Sequence, residues 1–369
     1  MKRNNHNIWD ALKQWSKLGS FIDFRPYGNG HINDTFLVRY EDKDGKTVKY
    51  ILQKVNRVVF KNPEQVMLNM INVTNFLKEK IVLAGGDPDR ETLTVMKNDS
   101  GDGYYTDAAG DCWRMLTFIT DAVSLDLPET NEDFYQSAIA FGKFQNMLSD
   151  FPAETLYETI PDFHNTPARY AAFEKSVGAN IKERAAGVAD EISFVNERKE
   201  FMNTLEDAHS SGKLPLKVTH NDTKMNNVLL DKDTREPVCV VDLDTIMPGY
   251  SVNDFGDSIR FGASTAAEDE KDLDKVHFDL SLFETYTRGF LKGCGGTLSD
   301  DELALLPVGA IMMTLECGMR FLTDYLDGDT YFKTAYPEHN LVRCRTQFKL
   351  VSEMEAHIDD MNKIIKRYR

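Results

Sequence analysis

Residues 218–230, Val-Thr-His-Asn-Asp-Thr-Lys-Met-Asn-Asn-Val-Leu-Leu, and the nearby Val240-Val-Asp-Leu-Asp244 constrain this chain more than any other stretch. The first segment reads His220-x-Asp222-x-Lys224-x-x-Asn227. A carboxylate in such a loop can accept the proton of an attacking hydroxyl. A lysine two residues on can offset charge on a phosphoryl group, and an amide oxygen a few residues later can ligate Mg²⁺. The second segment is an apolar run, Val238-Cys-Val-Val241, that ends abruptly in Asp242. It reads as a buried strand delivering another metal carboxylate to its carboxyl end. Asp244 falls on the same strand face if the extension continues, which makes it a third metal candidate. Any one of these residues alone is more often a solvated surface group. Together and in this order they describe one site for phosphoryl transfer.

The chain has 369 residues, enough for two lobes with their own cores. Its 41% hydrophobic and 28% charged content is that of an ordinary globular protein. A net charge of −16 disfavours nucleic acid and anionic membranes as partners, while leaving room for a nucleotide in a locally positive pocket. The five cysteines are scattered, with no CxxC pair, which fits a reducing compartment and no zinc site. The basic N-terminus lacks a following apolar segment, and no apolar run looks long enough to span a bilayer. The expected location is the cytoplasm, as a monomer or homodimer.

Ile8, Leu12 and Trp15 open the chain at helical spacing. Strands are expected over 21–27, 35–40 and 47–54, with Asp44-Gly45 as a hairpin turn. A helix is expected over 63–80, then strands near 92–96 and 113–118. From about residue 132 the pattern turns helical, with helices over 167–182, 189–208, 278–292, 300–326 and 342–368, interrupted by the short strands around the catalytic stretch. Strands, one helix and more strands, followed by a mainly helical remainder, give an α+β, two-lobed, protein-kinase-like fold. The expected small nucleotide-binding lobe is 1–118 and the large lobe 119–369.

Further pieces fit a nucleotide cleft. Gly28-x-Gly30-x-x-Asn33 resembles a degraded glycine loop, in which backbone N–H groups approach phosphates closely, with His31 and Asn33 as added contacts. Two glycines between strands otherwise mark a plain turn. Gln53 occupies the third-strand position where protein kinases carry a phosphate-binding lysine, and Lys54 points to the opposite face. Gln53 can still donate to a phosphate, or can be a half-buried polar strand residue. Phe118 and Ile119 sit where the chain would cross between lobes beside the base. Asp254-Phe255-Gly256 spells the protein-kinase metal motif but lies well beyond the strand that ends at Asp242; it resembles the later Asp-x-Ala/Gly segment of small-molecule kinases, which implies Asp254 as a brace of the catalytic loop. His220 is likewise expected to be a brace.

The His-x-Asp triplet resembles the aminoglycoside phosphotransferase and choline kinase superfamily. Over nearly its whole length the chain is similar to the bacterial N-acetylhexosamine 1-kinases of that group. The similarity is carried by 27–33, 218–227, 242–249, 254–265, 316–322 and 336–343. The resemblance implies ATP and Mg²⁺ as cofactors and the anomeric hydroxyl of N-acetylglucosamine or N-acetylgalactosamine as acceptor. It implies Asp222 as the base and Lys224 as a phosphate contact. Asn227, Asp242 and Asp244 would hold metal, and Arg320, Tyr331, Arg260 and His164 would lie around the sugar. The alternatives are a kinase of the same fold for another hydroxyl compound, such as an aminoglycoside, choline or a different sugar, and a non-catalytic nucleotide-binding protein.

Overall fold

The computed structural model describes residues 6–28 and 32–369. Helix α1 (His6–Leu12) runs through a 3₁₀ turn into β1 (Ser20–Pro26), β2 (Asp34–Glu41) and β3 (Thr47–Lys54). The β2–β3 turn forms because Asp42 Oδ1 accepts from the N–H groups of Asp44 and Lys46, and Gly45 takes φ 75°. Helix α2 (Pro63–Leu83) and the short α3 (Pro88–Glu91) precede β4 (Tyr105–Thr106) and β5 (Cys112–Thr117). The five strands make one antiparallel sheet in the order β1-β2-β3-β5-β4.

Strand alternation decides what each sheet face meets. Phe36, Val38, Tyr50, Leu52, Trp113 and Met115 pack under Ile8, Leu12 and Trp15 at the start of the chain. The opposite face carries Ile51, Cys112 and Leu116. It packs against Val66, Met70, Val73 and Leu77 of α2, and that cluster continues into Val218, Cys239, Leu243 and Ile246 near the catalytic stretch. The polar residues Gln53 and Arg114 share this second face by parity, which aims them at the large lobe.

The expected strand near 92–96 is reduced to one bridge, Val95 to Leu116. The segment runs beside β5 and exchanges Met96 N–H to Met115 O and Thr117 N–H to Thr94 O. Asn98 then turns it away by accepting from Ser100 and Asp102 N–H.

After β6 (Ala122–Ser124) come α4 (Asn131–Met147) and α5 (Thr166–Ala179). The helix expected over 189–208 is broken into α6 (Ala189–Asn196) and α7 (Thr204–Ser210). The catalytic stretch contributes β7 (Lys217–Thr219), β8 (Val228–Asp231), β9 (Pro237–Val240) and β10 (Met247–Gly249). β6-β8-β9 form one small sheet and β10-β7 another. Helix α8 (Ser251–Gly262), which contains Asp254, is an addition to the expected elements; Val252, Phe255 and Ile259 fall on one face, and its polar residues are buried as well. α9 (Leu280–Cys294) and α10 (Asp300–Asp327) follow. The expected last helix is two, α11 (His339–Ala356) and α12 (Ile358–Tyr368), parted at His357.

By length and composition α10 could cross a membrane, contrary to the sequence reading, but 78% of its most apolar window is buried inside the protein. Its N-terminus is closed by a capping box between Ser299 and Glu302. α8 crosses it at Gly256 and Gly309, where the backbones touch: a Cβ on Gly309 would overlap the carbonyl oxygen of Val252. Gly309→Ala is therefore expected to cost about 1–3 kcal/mol by overpacking. That cost would be read as a lower denaturant midpoint at unchanged m-value.

Candidate active site

The catalytic loop starts where β7 ends and is fixed by α8 together with residues 241–245, where Asn221 Nδ2 donates to Thr245 O and Thr245 Oγ1 to His220 O. Asp254 Oδ2 accepts from His220 N–H at 2.9 Å and Oδ1 from Asn221 N–H at 2.8 Å, while Gln145 Nε2 donates to Oδ2 at 2.7 Å. Burial pushes the Asp254 carboxyl up, opposed by His220 and by the loop N–H groups that bond it. Asp257 Oδ2 accepts from Thr223 N–H at 3.0 Å, and Thr223 Oγ1 donates to Asp254 O at 2.6 Å. These bonds stabilise Asn221 in the left-handed region at φ 64°.

His220 is buried edge-on against Phe141 and Phe144. Its Nε2 lies 2.9 Å from Val241 O, so Nε2 carries the proton, and Nδ1 accepts from Asp222 N–H at 3.3 Å. The ring thus couples the Asp222 backbone to the residue before Asp242, as a brace.

Asp222 Oδ1 pairs with Lys224 Nζ at 2.7 Å. Asn227 Nδ2 donates to Asp222 O at 2.8 Å and to Oδ2 at 3.2 Å. Those bonds aim the Asn227 amide oxygen the other way. Burial works against the charge of Lys224, yet Asp222 and Asp257 hold its pKa above the ordinary value.

β9 stops at Val240, and Asp242 sits in the left-handed region at φ 59° before a 3₁₀ turn, Leu243–Thr245. Asp244 therefore leaves the strand rather than continuing it, and it faces the small lobe. Burial, then Asp244, then Asp222, push the Asp242 carboxyl up to about 6. Among the described residues no three His, Cys, Asp or Glu side chains form a ready metal cage. Mg²⁺ rarely uses one: it takes one or two protein carboxylates and completes its shell with phosphates and water. A solvent-open carboxylate crowded by two others, with the Asn227 amide oxygen nearby, fits that donor set.

The small-lobe wall differs from expectation. Gly28 has φ 73°, a conformation that favours glycine. Gly30 and His31 lie outside the described residues. Asn33 reaches across to the large lobe, donating from Nδ2 to Asp244 Oδ2 at 2.5 Å. Its Oδ1 accepts from Asn56 N–H at 2.9 Å. Gln53 Oε1 accepts from Arg114 Nε and Nη2 at 2.9 and 2.7 Å, and its Nε2 donates to Thr35 Oγ1 at 3.1 Å. Arg114 Nη1 pairs with Asp244 Oδ1 at 2.5 Å. Arg114 was missed in the sequence. The only signal there was one charged residue in the apolar run Cys-Trp-Arg-Met-Leu, since a buried arginine requires a partner.

At the crossing, Phe118 packs edge-on against Tyr27 at 5.6 Å and receives Lys49 Nζ at 5.5 Å. The Ile119 side chain is buried in the core with α2, so only its backbone is left to meet a base. Arg90 clamps the crossing through Thr120 O at 2.7 Å and Asp231 Oδ2 at 2.6 Å.

On the acceptor side, Glu316, Arg320 and Asp324 recur every four residues along one stripe of α10. Glu316 Oε1 meets His164 Nδ1 at 2.9 Å, and His164 Nε2 lies 3.4 Å from the carbonyl oxygen of Asn221, the residue before Asp222. Arg320 is boxed by Phe163, Tyr331 and Phe332 at 5.5–6.0 Å from its guanidinium carbon. Asp324 collects the N–H groups of Thr330, Tyr331 and Phe332 at 2.8–3.0 Å, which holds Tyr331 outward with 64% of its surface exposed. Neither Glu316 nor Asp324 was singled out in the sequence, although their spacing from Arg320 was readable there.

Arg260 departs from expectation. It is 7% exposed and bonds Asp257 at 3.0 Å and Glu268 at 2.9 Å, so it braces the loop instead of facing an acceptor. A cavity of about 180 Å³ is lined by Glu158, His164, Glu206, Asn221 and Tyr250 among others. Neither Asp222 nor Asp242 lines it, so the chemistry is placed by the carboxylates and not by that hollow.

The sequence model of the phosphotransferase enzyme family matches residues 23–288, which covers the sheet, the catalytic loop and α8. The chain belongs to this family. Solved structures agree at the level of fold. A microcompartment-associated aminopropanol kinase superposes with TM-score 0.63 at 17% identity, covering 96% of this chain and 98% of its own. An aminoglycoside phosphotransferase from Alicyclobacillus acidocaldarius gives 0.60 at 12% identity, covering 97% and 96%. Amicoumacin kinase hAmiN, solved with AMP-PNP, Ca²⁺ and its antibiotic, gives 0.59 at 14%, covering 96% and 94%. The chain is thus a phosphotransferase with an antiparallel-sheet lobe and a helical lobe, the fold it shares with these kinases.

Proposed function

We propose that the protein transfers the γ-phosphoryl group of ATP to the anomeric hydroxyl of N-acetylglucosamine or N-acetylgalactosamine. The observation that carries this reading is the acceptor wall. Arg320 has aromatic faces on three sides and makes no ion pair among the described residues. Arg169 is close enough that, after burial, Arg320 is the next cause lowering its pKa. Glu316 stands against both guanidiniums and Asp162 against that of Arg169, so this wall is mixed in charge rather than acidic, which suits an uncharged acceptor better than an ammonium. The arginines suit a neutral polyol, whose hydroxyls accept from the guanidinium fork while its apolar ring face rests on Tyr331.

Asp222 orients the acceptor hydroxyl and takes its proton as the O–P bond forms and the bond to ADP breaks. Lys224 offsets charge on the transferring group. Asn227 and Asp242 would hold Mg²⁺, with Asp244 beside them. Bound there, Mg²⁺ supplies charge neutralisation at the phosphates. The rest of the acceleration comes from positioning by a loop whose every bond to α8 is already made.

The test is coupled ADP release with each N-acetylhexosamine, its 1-O-methyl glycoside, and cationic controls such as choline, aminopropanol and an aminoglycoside. Transfer to the free sugars alone is the expected result. Turnover of a 1-O-methyl glycoside, or a preference for any cation, would overturn the assignment of the acceptor.

A further inference from the structure

The small lobe of a kinase needs a cation against the nucleotide's phosphates, and in protein kinases a lysine on the third strand provides it. Here that position is Gln53, whose amide has no charge. Arg114 stands directly opposite it on β5, in register and on the same face. Thr35 stands opposite Gln53 on β2. Thr35, Gln53 and Arg114 thus form one cross-strand row facing the large lobe.

The guanidinium is tied at three nitrogens. Nε and Nη2 fork onto Gln53 Oε1, and Nη1 pairs with Asp244 Oδ1. The fork fixes the Gln53 amide with its NH₂ toward Thr35. The ion pair sets a cation within contact of the carboxylate two residues after Asp242. Asn33, at the end of the glycine-loop segment, bonds the other oxygen of the same carboxylate. Arg114 is only 1% exposed, so its charge is not spent on solvent. A buried arginine in the middle of a five-strand sheet is costly unless it serves the groups around it. Apart from Met67 Sδ of α2 at 3.8 Å from Nη1, the polar groups it bonds, Gln53 and Asp244, face the cleft between the lobes.

We propose that Arg114 replaces the third-strand lysine, supplying from β5 the positive charge that holds the triphosphate and presenting Gln53 and Asp244 to it. Gln53 then acts as a neutral spacer between the arginine and the glycine loop, which explains how the chain can do without a lysine there. The inference rests on the nucleotide-binding part of the function above and is independent of which acceptor is used.

The test moves the charge back. Affinities for Mg-ATP and for adenosine are measured by calorimetry on the full chain for wild type, Arg114→Met and the double variant Gln53→Lys/Arg114→Met, with circular dichroism as the check on folding. Arg114→Met is expected to weaken Mg-ATP by about 10- to 100-fold, through the lost positive charge and the loosening of Gln53 and Asp244, while adenosine affinity stays near wild type. The double variant is expected to regain most of the preference for the triphosphate, because the lysine stands in the same cross-strand row. Equal losses for ATP and adenosine in Arg114→Met, or a folded double variant with no regained preference, would overturn the proposal. If Arg114→Met alone unfolds, the double variant decides in the same way. Wild type that binds neither ligand would instead sink the kinase reading itself.

Discussion

Asp222→Asn is expected to lower kcat by about 10²–10⁴-fold, the range for a lost general base, with little change in fold. The expectation follows from how little else depends on the carboxylate charge. The backbone of residue 222 is held by His220 Nδ1 and by Asn227 Nδ2, and the neighbouring residues by Asp254 and Asp257, none of which requires an acid side chain at 222. An amide oxygen can still accept from Lys224, while the amide NH₂ would face Asn227 Nδ2, donor against donor. Asp222→Ala removes that conflict and serves as its control. Both variants should keep the wild-type KM for ATP within the limits set by the unchanged small lobe, so the loss falls on kcat. Near-normal turnover in either variant, with circular dichroism unchanged, would remove Asp222 from the mechanism.

Much of this geometry was legible before any coordinates. The catalytic stretch announces itself because its roles need fixed residue types at fixed spacings, and the resemblance of 254–256 to the later Asp-x-Ala/Gly segment of small-molecule kinases implied Asp254 as a brace. The two-lobed α+β fold followed from the change of period near residue 132. What escaped detection depends on long-range pairing. Arg114 lies 61 positions from the Gln53 it forks onto, and only strand register puts the two side by side. Asp244 was expected on the face of Asp242, but the left-handed Asp242 ends the extension and turns Asp244 toward the other lobe. Arg260 was taken for an acceptor contact because the pairing of its guanidinium with Asp257 and Glu268 becomes visible only once α8 is seen to be buried. The missing helix α8 has the same cause. Its apolar residues Val252, Phe255 and Ile259 do recur at helical spacing, but its polar residues are buried too, bonded to the catalytic stretch and to neighbouring helices.

Asp242→Asn should produce a protein that is inactive and, near neutral pH without metal, more stable than wild type. Burial first, and then Asp244 and Asp222, raise the Asp242 carboxyl from 3.8 to about 6 in the folded chain. Between those values the folded state holds a proton that the unfolded state has released, so stability falls as pH rises through that window. Above it the penalty is fully present, but the Asp242 side chain is open to solvent, and screening leaves about 1 kcal/mol of it or less. The asparagine carries no such penalty, and it tolerates the left-handed φ better than most residues, so backbone strain does not confound the comparison. Denaturant melts should therefore show Asp242→Asn above wild type at about pH 7.5 and the two converging below about pH 4. Millimolar Mg²⁺ should raise the wild-type midpoint near neutrality and much less at about pH 5, where protons compete for the carboxylate, and should leave the variant unmoved. A variant that melts below wild type at neutral pH, or that still answers to Mg²⁺, would show that Asp242 is neither electrostatically strained nor a metal ligand.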